Sequence, residues 1–303
     1  MVFRATFDCL WCGAPHEVRS ADDLEGYAQL CPACIGKAGE NGFLRFRLKE
    51  ALAERAAHSG STAVAVAVAE TPAEPPVEDL SDEMQAYYAA RASEYDDWYL
   101  RTGRYERGPV HDMAWNVDLD TATMWLDGLP IQGEIVELAA GTGWWSALLA
   151  GKGVLSIYDA NELPLDRARD RLLAHGLRAH IHVRDAWAEP DRQVDALYCG
   201  FWLSHVPRHR LAEFLGLARR WLKPGGIFAF IDSRPDPQSG TVDQEVSDEV
   251  EVSARRVKDG RVFRVVKVYW QPAELEAALL RAGFATASVT TTSRFFLLGR
   301  AGA

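Results

Sequence analysis

The chain has 303 residues, 48% of them hydrophobic and 25% charged, with a formal net charge of −10. That length accommodates one large domain plus a small module, and no apolar run approaches the ~20 residues needed to cross a bilayer, so no membrane association is expected. The acidic balance argues against broad electrostatic binding to nucleic acid, and the opening residues, from Met1 to Cys9, lack the basic segment and apolar core of a secretory signal, so a cytoplasmic location with reduced cysteines is expected.

Four of the five cysteines fall in the first 34 residues, as Cys9-Leu-Trp-Cys12 and Cys31-Pro-Ala-Cys34. Two Cys-x2-Cys pairs separated by 18 residues have the spacing of a four-thiolate zinc ribbon. Each pair makes a tight knuckle that aims two sulfurs at one ion, and Gly13 eases the first turn. So short a segment cannot bury a sizeable core, so the metal would supply most of its folding energy. Cys9, Cys12, Cys31 and Cys34 are therefore the expected ligands of a structural zinc.

Residues 43–57 carry an apolar stripe (Phe43, Leu44, Leu48, Leu52) and read as a helix leaving the ribbon. The module is thus 1–57. An Ala/Val run followed by a Pro/Glu-rich stretch marks 58–79 as a flexible linker, and 80–303 forms the large domain. From Ser81 the pattern is helical again through Met84, Tyr88, Tyr95 and Trp98, and a second helix covers about 111–127. Strands then fall near 134–139, 154–158, 180–184, 194–199, 227–232, 262–269 and 286–297. Helices fall near 144–150, 163–174, 208–221 and 272–282. This alternation predicts an α/β domain with a doubly wound, mostly parallel sheet. Residues 235–261 read as an acidic, flexible insertion between late strands.

The most informative segment is Glu134-Ile-Val-Glu-Leu-Ala-Ala-Gly-Thr-Gly-Trp-Trp145. A buried strand breaks into a glycine turn and then a helix, the corner at which nucleotides bind. Asp159 ends the next apolar run, where a carboxylate can take both ribose hydroxyls. A nicotinamide or flavin fingerprint wants a third small residue, whereas this chain has two tryptophans and then Ser146. Glu137, before the turn, would repel a pyrophosphate but tolerates a cationic ammonium and sulfonium.

Glu137-x-Ala139-x-Gly141-x-Gly143 therefore resembles the first motif of class I S-adenosylmethionine (SAM) methyltransferases, with Ala139 at the usual first glycine. The resemblance covers about 81–300. Tyr158-Asp159-Ala160 is similar to the second motif and Asp185-Ala186-Trp187 to the third. The segment from Asp195 through Gly200-Phe201-Trp202 to His205 resembles the fourth strand and its loop. Lys223-Pro-Gly225-Gly226 resembles the turn before the fifth strand. It implies a seven-stranded sheet with an antiparallel edge hairpin. It also implies SAM as the methyl donor, with backbone near Gly141 and Gly143 facing the methionine part, Asp159 on the ribose, and Asp185 and Trp187 at the adenine. Tyr88 and Tyr95 resemble the residues of an N-terminal cap helix that reach the SAM carboxylate.

Methyl transfer requires alignment and exclusion of water, and a general base only for some nucleophiles. His205 is the candidate base, with His111 and Tyr269 behind it. Gly200 and Phe201 would lie near the methyl group. Trp202, Arg234 and Tyr269 are candidate substrate contacts. Asp195 reads as structural and Cys199 as inert. The expected function is methylation of an O or N nucleophile of a small molecule. Two rivals stand beside it: an RNA or protein methyltransferase recruited through the zinc ribbon, and a non-catalytic SAM-binding protein that meets a protein partner through that ribbon. Residues 1–57 hold seven Lys/Arg against eight Asp/Glu, which gives no basic stripe for nucleic acid.

Overall fold

The computed structural model describes residues 80–303 apart from 243, 245 and 247–250, together with the backbone of 5–8 and 15–18. The chain divides into two compact units, Met1–Ala73 and Glu74–Ala303. In the first unit, β1 (Ala5–Asp8) pairs antiparallel with β2 (Pro15–Val18). Cys9, Cys12, Cys31, Cys34, the 43–57 helix and the 58–79 linker lie outside the described residues.

The second unit opens with three helices, α1 (Ser81–Arg91), α2 (Tyr95–Leu100) and α3 (Pro109–Gly128). Strands and helices then alternate: β3 (Gly133–Leu138), α4 (Ser146–Ala150), β4 (Gly153–Asp159), α5 (Glu162–Ala174), β5 (His180–Val183), β6 (Val194–Gly200), α6 (Leu211–Trp221) and β7 (Leu222–Ser233). A short hairpin follows, β8 (Val252–Arg256) with β9 (Val262–Val266). The chain finishes with α7 (Pro272–Arg281), β10 (Thr286–Thr291) and β11 (Phe296–Gly302).

Seven strands form one sheet in the order β10-β11-β7-β6-β3-β4-β5. The β5, β4, β3, β6 and β7 ladders are parallel, and β11 and β10 add antiparallel. Central strands covered on both faces must be apolar on both faces. Here alternate residues of each strand enter opposite cores. Val136, Leu138, Leu197, Phe228 and Phe230 pack with α1, α6 and α7. Ile135, Ile157, Ala196, Ala229 and Ile231 pack with α2, α3, α4 and α5. Cys199 is fully buried in the first core, and burial pushes its thiol well up, so it is not a nucleophile.

Several sequence expectations change. The helical pattern from Ser81 is two helices, because the chain turns at 92–94. The expected strand 286–297 is a turn flanked by β10 and β11, with Thr292 and Asp118 closing it. Asp118 Oδ2 accepts from Thr292 Oγ1, Arg294 N and Phe295 N. The strand expected at 262–269 is shorter and stays out of the main sheet. It pairs instead with β8, inside the segment read as a flexible insertion. Lys223-Pro-Gly-Gly226 is looped out within β7, since Val194 faces Leu222 and Ala196 faces Ile227. Helix α6 is preceded by a 3-10 turn at Arg208–Arg210. Among the described residues, no helix is long and apolar enough to cross a membrane.

Candidate active site

The connections leaving β3 and β6 run to opposite sides of the sheet, which opens a crevice at the C-terminal ends of the parallel strands. The β3 loop is built from alternating left-handed residues, with φ of 51° at Ala139, 56° at Gly141 and 72° at Gly143. Only glycine takes that region without a Cβ penalty. Ala139 therefore bears strain of roughly 1 kcal/mol where a glycine would bear none. Gly143 has a packing reason as well: a Cβ there would lie 2.7 Å from that of Ala168 on α5.

Asp159 at the end of β4 holds the loop. Its Oδ2 accepts from Gly141 N at 2.9 Å and its Oδ1 from Asn161 N at 2.9 Å. Burial pushes its pKa up to about 6, against the pull of those two amides and with a further push from Asp185. Asp185 Oδ1 closes its own turn by accepting from Trp187 N at 2.6 Å.

The N-terminal helices cap this loop. Asp96 on α2 accepts from Thr142 Oγ1 at 2.6 Å and pairs with Arg171 of α5, whose Nε donates to Thr142 O. Gln85 on α1 donates to Ala160 O at 3.0 Å. The two tryptophans explain themselves here. Trp144 stacks on Tyr99 of α2 with centroids 4.1 Å apart. Trp145 packs on Gly200, where a Cβ would come within 2.9 Å of its ring.

Under the cap lies a cavity of about 1050 Å³, its open mouth included. Tyr88, Tyr95, Ala139, Gly141, Asp159 and Ala160 line it, as do Asp185, Ala186, Trp187, Gly200, Phe201, Trp202 and His205. Glu137 and Gly143 do not. Glu137 is sealed beneath the loop, 2% exposed, and takes a hydrogen bond from Ser146 Oγ at 2.5 Å. Arg234 is turned to the β10–β11 loop, donating to Thr292 O and Ser293 O. Tyr269 lines a second chamber of about 530 Å³, which shares Tyr88, Tyr95, Phe201 and His205 with the first. Arg91, Arg255 and Lys267 also line this second chamber, and the motifs had not marked any of them as site residues. Lys267 alone left a sequence signal, as a cation inside an apolar run. Asp195 is structural, accepting from Glu134 N and Lys223 Nζ.

His205 stands where the chambers meet. Val266 O can only accept, so His205 Nδ1 donates to it at 2.6 Å. Nε2 is then the acceptor for the Tyr88 hydroxyl at 2.5 Å. Burial pushes the imidazole pKa well below its usual value, and the nearby Lys267 charge adds to this. His205 is neutral at physiological pH, with its free nitrogen occupied by Tyr88. His111 Nδ1 lies 3.2 Å from Arg294 and lines neither chamber. Among the described residues, no cluster of three His, Cys, Asp or Glu side chains could hold a metal.

A methyltransferase-domain family model matches residues 135–226. Two structures of DhpI, one in complex with SAH and one with SAM and HEP, are 31% and 32% identical to the chain. They cover 74% and 73% of it and 97% of their own lengths, with TM-scores of 0.57 and 0.58. A demethylmenaquinone methyltransferase of Clavibacter sepedonicus is 35% identical over 133 residues, 42% of this chain. The chain spans about half the length of that curated relative.

The buried Glu137 sets a pH test. Burial pushes its pKa up to about 8 from an ordinary 4.5, against the pull of the Ser146 hydrogen bond and with a further push from Asp159. The folded state binds this proton more tightly than the unfolded chain does. Its contribution to stability is complete below the ordinary value and is lost as pH rises through about 8. Glu137→Gln, which mimics the protonated side chain, should match the wild type in urea unfolding at pH 4.5. At pH 9 it should be more stable by at least ~1 kcal/mol. Equal stability at both pH values would contradict this assignment.

Proposed function

The chain belongs to the class I SAM-dependent methyltransferases, and we propose that it methylates an oxygen or nitrogen nucleophile of a small molecule. The observation that carries the proposal is the second chamber, a small concave space beneath the α1–α2 cap that shares Tyr88, Tyr95, Phe201 and His205 with the first. The name of the Clavibacter relative, a demethylmenaquinone methyltransferase, supports a small-molecule acceptor.

The first cavity suits SAM by its donor set. Asp159 keeps lone pairs on both oxygens after binding Gly141 N and Asn161 N, and these can accept from the ribose hydroxyls. Asp185 Oδ2 is available for the adenine amine. Trp202 Nε1 is buried at the cavity wall without a hydrogen-bond partner. Tyr88 and Tyr95 close the cavity from the cap, and Trp187 forms a side wall braced by Arg210, 3.8 Å above its ring. SAM supplies a sulfonium methyl: the acceptor lone pair forms the new O–C or N–C bond as the C–S bond breaks, and the sulfur leaves as a thioether.

The protein's part is alignment and dehydration, held by the packed aromatic wall of Tyr95, Trp98 and Phe201. His205 is out of direct reach as a base, because Tyr88 covers Nε2. A proton from the acceptor passes to the Tyr88 oxygen while the Tyr88 proton passes to His205. The depressed imidazole pKa makes this a weak sink. The site therefore favours a nucleophile that is already ionised or is a neutral amine.

For the first unit, we propose that Cys9, Cys12, Cys31 and Cys34 hold a structural zinc. The spacing supports this, as does the β1–β2 hairpin, whose strands flank the first cysteine pair in sequence. Metal analysis of the purified chain should give one zinc per chain, lost on replacing Cys9 and Cys12 by serine. A metal-free, folded chain would contradict it.

The function is tested with methyl-labelled SAM and a producing-cell extract divided into small-molecule, RNA and protein pools. Label should enter the small-molecule pool. Label in RNA or protein would overturn the proposal and give the cysteine module a recruiting role. SAM binding without label in any pool would favour a non-catalytic SAM-binding protein.

A further inference from the structure

The two chambers differ in charge. Among the described residues, the first is lined by Asp159 and Asp185 with one Lys or Arg, Arg210. The second is lined by Arg91, Arg255 and Lys267, and among the described residues no carboxylate lines it. These cations come from three separate places: the end of α1, strand β8, and the residue after β9. Three converging cations beside one buried acid among the described residues, Asp232 near Lys267, are costly unless something else completes them.

Arg255 is 8% exposed, and its Nη1 is buried with no hydrogen-bond partner. Lys267 is 9% exposed, and its Nζ donates to Ser204 Oγ at 2.8 Å and Ser233 Oγ at 3.0 Å. Asp232 lies 3.9 Å from that ammonium, but its two oxygens already accept from Ser204 N and Ser233 N. Burial pulls the Lys267 pKa down to about 8, against the Asp232 charge. Arg91 donates from Nε to the Tyr105 hydroxyl at 3.1 Å and lies 4.6 Å from the Tyr95 ring centroid. Among the described residues, no carboxylate pairs with Arg91 or Arg255. Glu94, a buried acid on the cap side, accepts from Lys258 N and faces Arg104.

We infer that this second chamber binds the methyl acceptor through an oxyanion group, held chiefly by Arg255 and Lys267 with Arg91 beside them. The inference rests on the methyltransferase reading for the role of the first cavity and adds the chemical class of the acceptor. Arg255 supplies the unused N–H, and a charge-assisted hydrogen bond to an anion removes its desolvation deficit. Lys267 supplies a third donor alongside its two serines. The Tyr87, Tyr105 and Tyr269 rings line the same chamber and would pack against a small apolar or hydroxylated body. The anion at one end and Tyr88 with His205 at the other would fix the acceptor across the junction of the chambers.

The test is titration calorimetry of the full chain with inorganic phosphate, acetate and, as a neutral control, glycerol, with and without saturating SAH. Saturable binding of phosphate or acetate and none of glycerol is expected, and which anion binds tells a tetrahedral group from a carboxylate. Affinity should fall at least tenfold in Arg255→Gln and in Lys267→Met, while SAH affinity stays within about twofold. Arg255→Lys, which keeps the charge, should lose less than Arg255→Gln and stands in for it should the latter not fold. No saturable anion binding by a chain that binds SAH would overturn this inference and leave the methyltransferase reading intact. Anion affinity unchanged in both Arg255→Gln and Lys267→Met would overturn it too. Failure of SAH itself to bind would count against the role of the first cavity, and the SAH-free titration would still read the anion site.

Discussion

The Asp159 carboxylate is the constraint on which the site depends. Parallel pairing of β3 with β4 sets the ends of the two strands side by side, Leu138 opposite Tyr158. That register lets one side chain reach across and take the amide of Gly141. The loop after β3 can then turn through its alternating left-handed residues without stranding a buried N–H. A carboxylate in so buried a place is expensive, which is why its pKa is raised to about 6 despite two backbone donors. Ligand hydroxyls supply further donors and would favour the ionised form. On the proposed reading, loop geometry and ligand affinity are set by the same group.

From that point the rest of the domain acts as a clamp. Thr142 within the loop is held by Asp96 and Arg171, which ties α2 to α5 across it. Trp144 and Trp145 extend the clamp upward to Tyr99 and inward to Gly200. The cap is fixed at several points, and it bounds two chambers of opposite polarity. A cationic donor molecule is matched by the acidic first chamber. The proposed anionic acceptor would be matched by the basic second one. Tyr88 and His205 stand at the shared wall, hydrogen-bonded to each other, with burial and then the nearby Lys267 charge holding the imidazole neutral.

The central corner was legible because burial on both faces leaves an unbroken apolar run. Ile135, Val136 and Leu138 before Ala139–Gly143, and Leu155, Ile157 and Tyr158 before Asp159, have that pattern. The cavity lining followed from it, since the ends of parallel strands converge in space. Glu137 lies within the motif yet faces the core below the loop, a difference that alternation along β3 decides and a motif does not. The hairpin of β8 and β9 was hidden because its half-exposed residues, such as Val252, Ser253 and Arg256, look like loop sequence. The late strand 286–297 was read as continuous because the Asp118 contact that breaks it comes from 174 residues away. The second chamber was hidden for a similar reason. Arg91, Arg255 and Lys267 are far apart in the chain, and only the docking of β8–β9 over α1 joins them.

The most direct measurement is the affinity of SAH for wild type and for Asp159→Ala, by titration calorimetry, with thermal unfolding of both chains alongside. Loss of a charged acceptor to two hydroxyls and of the Gly141 amide contact should weaken binding at least about tenfold, with the sheet still folding cooperatively. Unchanged affinity in a folded Asp159→Ala chain would contradict the central role of this carboxylate and move the nucleoside site elsewhere.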